Sequence, residues 1–371
     1  MKRKITGLFI LFISLVLLGS AMNQSFINKI KFEKYFDHLN PQMIQESALY
    51  KAALVHSDRW RYGDLYGVCY LSQYKFKLEP FKQYGYKPGR QNTNRVLYII
   101  GDSFLADKIL SGAFDAFDNV IFLDRRFSFG PIKLDSTKQN YLMMEFAERN
   151  LNDYDIDKTD EIRWTNNDIK SGVNFSNTPA PAPGQPPPTS LFERLNKIIF
   201  NKDLSRNLEL ILFDNKLTTP FKEAKASLNY KLFDRIANGV VISSDKKRLL
   251  FYVTIDTNNM QSAFRYKNEH ALDSIVRNLD IARDYYRAIG FKKVFLSVIP
   301  NAVSVYDDKR MPYNHLLERV EQKTDLPIIP LYKAFKADKR NLFYRSDSHW
   351  NPQGLDTWVN EANKVLTANL N

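Results

Sequence analysis

Short apolar segments that alternate with helical patterns constrain the fold of this chain more than any other feature. The first, at 96–100, is a continuous apolar run that ends at Gly101, as a strand buried on both faces of a sheet would. Apolar positions at three- and four-residue steps from Leu272 to Tyr286 predict a helix, and Gly290 stands where it should stop. The other predicted strands are at 120–123, 141–144 (where a helix start is the alternative), 249–254, 294–298 and 326–331. The alternation predicts an α/β fold, with a mostly parallel sheet covered by helices on both faces.

The amino-terminal segment predicts the compartment. Lys2, Arg3 and Lys4 precede an apolar run over 5–22, which as a helix would rise about 27 Å, close to the hydrocarbon thickness of a bilayer. Residues 1–25 are therefore predicted to be a single membrane anchor, with the main domain outside the cytoplasm, in the cell envelope or periplasm. The alternative is a signal peptide cleaved near the small residues at 19–21, which would release a secreted protein.

Two further segments flank or interrupt the predicted sheet, which would occupy 96–150 and 241–371. Residues 26–95 form an aromatic-rich leader that we expect to pack on this main domain. Residues 151–240 are charged and helix-prone without clear strands, and are predicted to be an insertion. Within it, 178–188 holds six of the sixteen prolines and predicts an extended linker.

Composition excludes several classes of protein. With 44% hydrophobic residues, the 371-residue chain has too much apolar content for a disordered protein. The single cysteine, Cys69, excludes an intramolecular disulfide framework. No metal site is predicted, because ligand-like spacing is absent from His38, His56, His270 and His315. A P-loop and a G-x-G-x-x-G pattern are both absent, so no cofactor is expected. The basic residues behind the net charge of +12 are dispersed, which argues against nucleic acid and leaves an anionic glycan or lipid surface open.

Two short motifs carry candidate chemistry. Asp102 and Ser103 follow Gly101 directly, so the serine would lie at the carboxyl end of a strand, where parallel sheets place their ligands. Near the other end of the chain, Asp347 and His349 precede Trp350. A serine needs a base to take its proton, and a histidine oriented by a carboxylate supplies one.

Together the two motifs resemble the SGNH (GDSL-like) hydrolase superfamily, with a flavodoxin-like three-layer sandwich. The D-x-H-W form is similar to the branch of alginate O-acetylation proteins and related cell-envelope acyltransferases. The resemblance covers about 96–150 and 245–360. It implies Ser103 as the nucleophile, His349 as the general base and Asp347 as its orienting partner.

The sequence departs from this superfamily at the block that supplies an oxyanion-hole asparagine, since no G-x-N-D is present. By the resemblance, Gly130 and the Ser103 N–H would be two of the donors. Arg149 or Asn150 would supply the third, although Arg149 could instead pair with Glu145. Residues that follow predicted strands or flank the motifs are candidates for substrate contact: Asp102, Trp350, Asn258 and Asn301.

Three functions remain open from the sequence. The first is a membrane-anchored serine esterase or O-acyltransferase that modifies a cell-surface glycan, with a membrane-bound partner as acyl donor. The second is a non-catalytic envelope scaffold or glycan-binding module that retains an SGNH-like fold. The third is a flavodoxin-like sheet of unrelated function, which predicts that Ser103 and His349 lie far apart.

Overall fold

The computed structural model describes residues 2–86, 92–126, 132, 134–156, 190 and 202–370. The chain divides into two compact units. The first contains Met1–Leu78 and Ala182–Val240, and the second contains Glu79–Pro181 and Val241–Asn371. We call them the anchor unit and the sheet unit.

From Leu249 onward the described chain alternates strands and helices as the sequence predicts, whereas no described helix separates the three strands between Arg95 and Ala147. The strands are β1 (Arg95–Gly101), β2 (Asn119–Asp124), β3 (Gln139–Ala147), β4 (Val240–Ile242), β5 (Leu249–Phe251), β6 (Lys293–Ile299) and β7 (Ile328–Ile329). The α-helices of the described residues are α1 (Lys2–Met22), α2 (Gln24–Leu39), α3 (Ala48–Tyr50), α4 (Asp58–Arg61), α5 (Tyr66–Cys69), α6 (Glu148–Leu151), α7 (Leu204–Leu212), α8 (Thr219–Phe233), α9 (Glu269–Ala288), α10 (Ala302–Tyr306), α11 (Leu316–Lys323), α12 (Leu331–Ala337) and α13 (Pro352–Ala368).

Five strands form the main sheet, in the order β2-β1-β3-β6-β7, and every pairing between them is parallel. This confirms the predicted mixed α/β fold with a parallel sheet. The chain passes from β1 to β2 on one side and then to β3 on the other, so the strand order reverses at β1. In open α/β sheets, a crevice for ligands opens at this switch point, beyond the carboxyl ends of the strands.

The sheet separates two hydrophobic cores. On one face, Leu97, Ile99 and Met143 pack with Trp358 of α13 and with α12. On the other face, Tyr98 and its neighbours pack with the apolar sides of α9 and α11. Because alternate residues of one strand enter opposite cores, every residue of β1 from its second position onward is buried.

Helix α9 has the apolar face and the end that its sequence predicts. Its buried side chains are Leu272, Ile275, Leu279, Ala282 and Tyr286, at three- and four-residue steps, with Val276 left half-buried. The Asn268 side chain caps its first turn by accepting from the Ala271 N–H. Gly290 follows with a φ of +118°, a left-handed conformation that ends a helix at little cost for glycine.

Three predicted strands differ from the structure. The run at 249–254 was expected in the parallel sheet, but only Leu249–Phe251 is a strand, and β5 pairs with β4 in a separate two-stranded sheet. At 326–331 only Ile328–Ile329 pairs, because Pro327 and Pro330 lack the N–H that a ladder requires. The strand at 141–144 extends to Ala147, so Glu145 lies inside β3 and not in the loop after it.

The anchor unit joins the beginning of the chain to the described part of the predicted insertion. The Asn207 side chain of α7 donates to the Ala21 carbonyl at 2.9 Å, and both residues are fully buried. Lys34 of α2, also buried, donates to the Asp214 carbonyl. The anchor unit thus contains the leader up to Leu78 together with part of the predicted insertion. The rest of the leader, from Glu79 onward, belongs to the sheet unit. The packing of the leader on the main domain stays a prediction, and the linker at 178–188 lies outside the described residues.

Among the residues that the structure describes, one segment, Lys4–Met22 of α1, is long and apolar enough to cross a membrane, judged by length and composition alone.

A substitution at Gly354 tests how tightly α13 packs on the segment just before it, residues 342–350. A Cβ at this position would collide with the Leu342 carbonyl oxygen and lie 2.7 Å from the Trp350 Cβ. We expect Gly354→Ala to lower the free energy of unfolding by about 1–3 kcal/mol, the usual cost of overpacking. Urea unfolding measures it, and Gly85→Ala, where a Cβ would have open space, is the matched control. Equal losses for the two variants would contradict this packing.

Candidate active site

Ser103 lies just beyond the carboxyl end of β1, at the switch point of the sheet. Asp102 before it is buried, Phe104 after it is buried, and Ser103 itself is half-buried. The Asp102 carbonyl accepts from the Leu105 and Ala106 N–H groups, at 3.2 Å each, so the chain turns immediately after the serine. Parallel pairing with β2 and β3 thus delivers a half-buried hydroxyl to the edge where such folds bind ligands.

The end of β1 requires glycine at position 101, because a side chain there would have no room. A Cβ at this position would lie 2.5 Å from the Glu145 Oε2 and 3.1 Å from a ring carbon of Phe122. The Gly101 carbonyl also accepts from the Arg125 N–H at 2.8 Å. A larger residue would therefore displace the neighbours that fix the end of β1.

His349 joins Ser103 to Asp347. Its Nε2 lies 2.8 Å from the Ser103 Oγ, and its Nδ1 lies 2.6 Å from the Asp347 Oδ1. The same carboxylate oxygen accepts from the His349 backbone N–H at 2.9 Å. With the proton on Nδ1, the imidazole donates to Asp347 and its Nε2 accepts from the serine hydroxyl. The prediction that Ser103 and His349 lie far apart is therefore wrong.

The loop that carries His349 is held by a short antiparallel bridge and a buried ring. Phe343 pairs with Trp350, and the Tyr344 N–H donates to the His349 carbonyl at 3.2 Å. The Trp350 ring is fully buried, 5.3 Å from the Phe104 ring centre. Asn351 then caps α13, since its side chain accepts from the Gly354 N–H at 3.0 Å. The histidine is thus fixed between a core aromatic and a helix start.

Strand β5 supports the same loop from a second side. The Leu249 N–H donates to the Arg345 carbonyl at 2.8 Å, two residues before Asp347. The Arg248 guanidinium lies 3.6 Å from the Tyr306 ring centre and donates to the Asn341 side chain at 2.6 Å. Strand β5 and Arg248 before it, which lie outside the main sheet, therefore stabilise the start of the loop that carries His349.

Asp102 holds the serine turn through three hydrogen bonds. Its N–H donates to the Glu145 Oε2 at 2.8 Å, its Oδ1 accepts from the Phe104 N–H at 3.0 Å, and its Oδ2 accepts from the Asn150 amide at 3.0 Å. The residue is 4% exposed. Asp102 was a candidate for substrate contact, but its burial and these bonds make it a residue that positions Ser103.

Two carboxyl groups of the β3–α6 junction are buried. Burial, and then the nearby charge of Asp102, raise the pKa of Glu145 well above its usual range. The bond from the Asp102 N–H and the nearby charges of Arg125 and Arg149 act in the opposite direction and favour the charged form. Burial also raises the pKa of Glu148 to about 7. The Glu148 Oε2 accepts from the Asn301 N–H and the Ser304 hydroxyl, each at 2.7 Å, and these bonds favour the charged form.

Arg149 lies beside the triad. Its guanidinium carbon is 5.5 Å from the centre of the Phe104 ring, and the His349 ring centre is 4.9 Å from the same point. Within the described part of the chain, Arg149 forms no ion pair with Glu145, which was the alternative from the sequence. Its charge still favours the ionised form of Glu145, and its guanidinium carbon also lies 5.9 Å from the centre of the Phe251 ring.

The remaining predicted residues lie in different environments. Trp350 has no exposed surface and packs in the core, so a substrate contact through its ring does not fit this structure. Asn258 lies in an exposed turn, where its N–H donates to Asp256 and its carbonyl accepts from Arg265. Asn301 is 3% exposed, and its side-chain amide has no hydrogen-bond partner among the described residues. Gly130 lies outside the described residues.

Sequence reasoning missed Glu148 and Lys108. The Lys108 ammonium lies 4.0 Å from the centre of the Phe81 ring and donates to the Ala106 carbonyl at 3.1 Å. Burial lowers the pKa of Lys108 to about 8, against the attraction of the Asp107 and Asp347 carboxylates. Lys108 could have been proposed from the sequence as a residue near the site, because it follows the candidate nucleophile by only five residues. The burial of Glu148 could not, because it depends on contacts with residues far along the chain.

Comparison with known proteins does not place this site in a family. The chain matches no family model, no curated protein and no solved structure. What the site does must therefore be argued from its own residues.

The buried Glu148 predicts a pH dependence of stability. The folded chain favours the protonated acid, so this group does not oppose folding below the unfolded pKa of 4.5 and opposes it increasingly up to about pH 7. We expect the unfolding free energy of the wild type, relative to Glu148→Gln, to fall over this window. At about 1.4 kcal/mol per pKa unit, the fall would be on the order of 3 kcal/mol.

Urea unfolding of both proteins from pH 4.5 to pH 8 measures this difference. Glu361→Gln, a substitution in a surface pair with Lys364, is the matched control, because a screened surface pair contributes little. If the wild type and Glu148→Gln gave parallel curves across the whole range, Glu148 would not be buried as described.

Proposed function

We propose that this chain is a serine esterase or O-acyltransferase of the SGNH type that acts on a cell-envelope polysaccharide. One observation carries the proposal: a serine hydroxyl, an imidazole and a carboxylate are joined by contacts of 2.8 Å and 2.6 Å at the switch point of a parallel sheet. The strand order, with helices on both faces, supports the flavodoxin-like three-layer arrangement of that superfamily.

The hydrogen bonds assign a role to each member of the triad. The His349 Nε2 takes the proton as the Ser103 Oγ attacks the carbonyl carbon of an ester, and Asp347 stabilises the imidazolium that forms. When the tetrahedral intermediate collapses, His349 donates that proton to the departing alcohol. A water molecule or a sugar hydroxyl then attacks the acyl-serine, with His349 again acting as the base.

The negative charge on the tetrahedral intermediate needs donors. The Ser103 N–H is one. Asn150 is a second, because its amide carries two hydrogens and only one is needed for the bond to Asp102. Arg149, beside the Phe104 ring that also contacts His349, is a third or binds an anionic group of the substrate. Gly130 stays a prediction from the sequence.

The amino-terminal helix supports a location at a membrane. The basic residues at positions 2–4 precede a helix that is long and apolar enough to span a bilayer, which favours a main body outside the cytoplasm. An O-acyltransferase in that compartment would receive its acyl groups from a membrane-bound partner. The surplus of basic residues is compatible with an anionic glycan as the acceptor.

Labelling with a fluorophosphonate probe tests the nucleophile. We expect stoichiometric labelling of the wild type at Ser103, and no labelling of Ser103→Ala, because the probe reacts with a serine activated by a neighbouring base. Turnover of a small acetyl ester should fall at least about 100-fold in Ser103→Ala, because no acyl-enzyme can form and His349 has no serine hydroxyl to deprotonate. Peptide mapping and initial rates are the measurements.

Ser274→Ala, which removes a hydroxyl that bonds only within α9, is the matched control and should behave as the wild type. Near-ultraviolet circular dichroism checks that each variant is folded. A folded wild type that neither reacts with the probe nor turns over an ester would favour the alternative, a non-catalytic scaffold or glycan-binding module.

A further inference from the structure

Helices α7 and α8 of the anchor unit expose a row of large apolar side chains. We call this surface the α7–α8 face. Phe221 is 77% exposed and Leu217 is 68% exposed, values that a soluble domain seldom shows for several neighbouring large side chains. An open groove of about 820 Å³ runs along the same surface, between the two helices. The members of the α7–α8 face are Leu212, Phe213, Leu217, Phe221, Leu228 and Leu232.

The exposed side chains of α8 lie on one side of the helix. Phe221, Leu228 and Leu232 are seven and eleven residues apart, which at 3.6 residues per turn places them within about 40° of each other. The opposite side holds Glu223, which accepts from the Tyr66 hydroxyl at 2.5 Å and pairs with Lys75 at 3.0 Å. Helix α8 therefore packs on its own unit through one side and leaves an apolar stripe uncovered on the other.

The α7–α8 face adjoins the end of the apolar amino-terminal helix. Ala21, near the carboxyl end of α1, is fully buried against Ile211 of α7, and its carbonyl accepts from the Asn207 side chain. Earlier in α1, large apolar residues such as Leu8 and Phe12 are 67% and 65% exposed. Only the last turns of α1 are thus packed in the unit, and α7 lies at the level where a spanning helix would leave the bilayer.

Lysines predominate around the α7–α8 face, where Lys222 and Lys225 line the groove with one exposed acidic residue, Glu209. Lys225 lies on the stripe of α8 itself, between Phe221 and Leu228, and it is exposed. Lys216 and Lys231 are exposed at its borders. Lysines with long aliphatic stems beside large apolar residues are typical of helices that lie in the headgroup region, with their apolar side toward the acyl chains.

We propose that the α7–α8 face lies in the headgroup region of the bilayer that α1 spans, with its apolar stripe among the upper acyl chains and its lysines at anionic headgroups. The anchor unit then contacts the membrane through two elements, a spanning helix and a helix pair in the membrane surface. This inference rests on α1 as a membrane span and is independent of the proposed chemistry at Ser103.

Spin labels on the full-length chain test the location of this face. Phe221→Cys, Leu228→Cys and Leu232→Cys would each be labelled with a nitroxide, and the protein reconstituted in vesicles of phosphatidylcholine and phosphatidylglycerol. Tyr266→Cys, at a 78% exposed position of the sheet unit, is the control in water. Burial raises the pKa of the natural Cys69 thiol to about 11, and because the thiolate is the reactive form, this thiol should react slowly with the label. The unsubstituted protein is the blank that measures any labelling of Cys69.

The ratio of the oxygen collision rate to that of a water-soluble nickel complex is the readout. We expect ratios above unity at all three positions of α8 and below unity at Tyr266→Cys, because oxygen concentrates in acyl chains and the nickel complex in water. Ratios at the level of Tyr266→Cys would place the face in water and overturn the proposal. Dipolar broadening between labels would show a second copy of the chain on the face, which would also overturn it.

Discussion

Burial of the parallel sheet on both faces is the constraint on which the rest of the sheet unit depends. Since β1 and β3 have apolar residues on both sides, helices must cover both faces, and the polar ends of the strands remain the place where functional groups can collect. Ser103 follows β1 there, while α6 follows β3 and brings Arg149 and Asn150 to the same edge. The candidate site is thus a consequence of the strand order and not of any local motif alone.

The triad geometry depends on groups that never touch a substrate. Trp350, buried in the core, fixes the loop on which His349 lies, while the buried Glu145 and the Asn150 amide hold Asp102 at the serine turn. A polar group in a buried strand is costly unless it is paired or neutral. The raised pKa of Glu145 favours its neutral form, and its Oε2 accepts from the Asp102 N–H, while its Oε1 has no hydrogen-bond partner among the described residues.

The sequence predicted the elements whose signals are local and missed those that depend on distant partners. Strand β1 and the buried side of α9 follow from apolar spacing, and Ser103 with its His349 and Asp347 partners followed from two short motifs. The run at 249–254 is as apolar as β1, but spacing does not say which strand it will pair with. In the same way, Asp102 and Trp350 were predicted to contact substrate because they flank the motifs. The packing around them shows that both are buried and position neighbouring residues.

We propose that Ser103 forms a covalent acyl-enzyme with His349 as its base. Incubation with an activated acetyl ester, followed by rapid acid quenching and peptide mapping by mass spectrometry, measures this most directly. We expect one acetyl group on the peptide that contains Ser103 in the wild type, and its loss in His349→Ala, which removes the imidazole 2.8 Å from the Ser103 Oγ. Acetyl groups spread over surface lysines, or equal acetylation of Ser103 without His349, would contradict it.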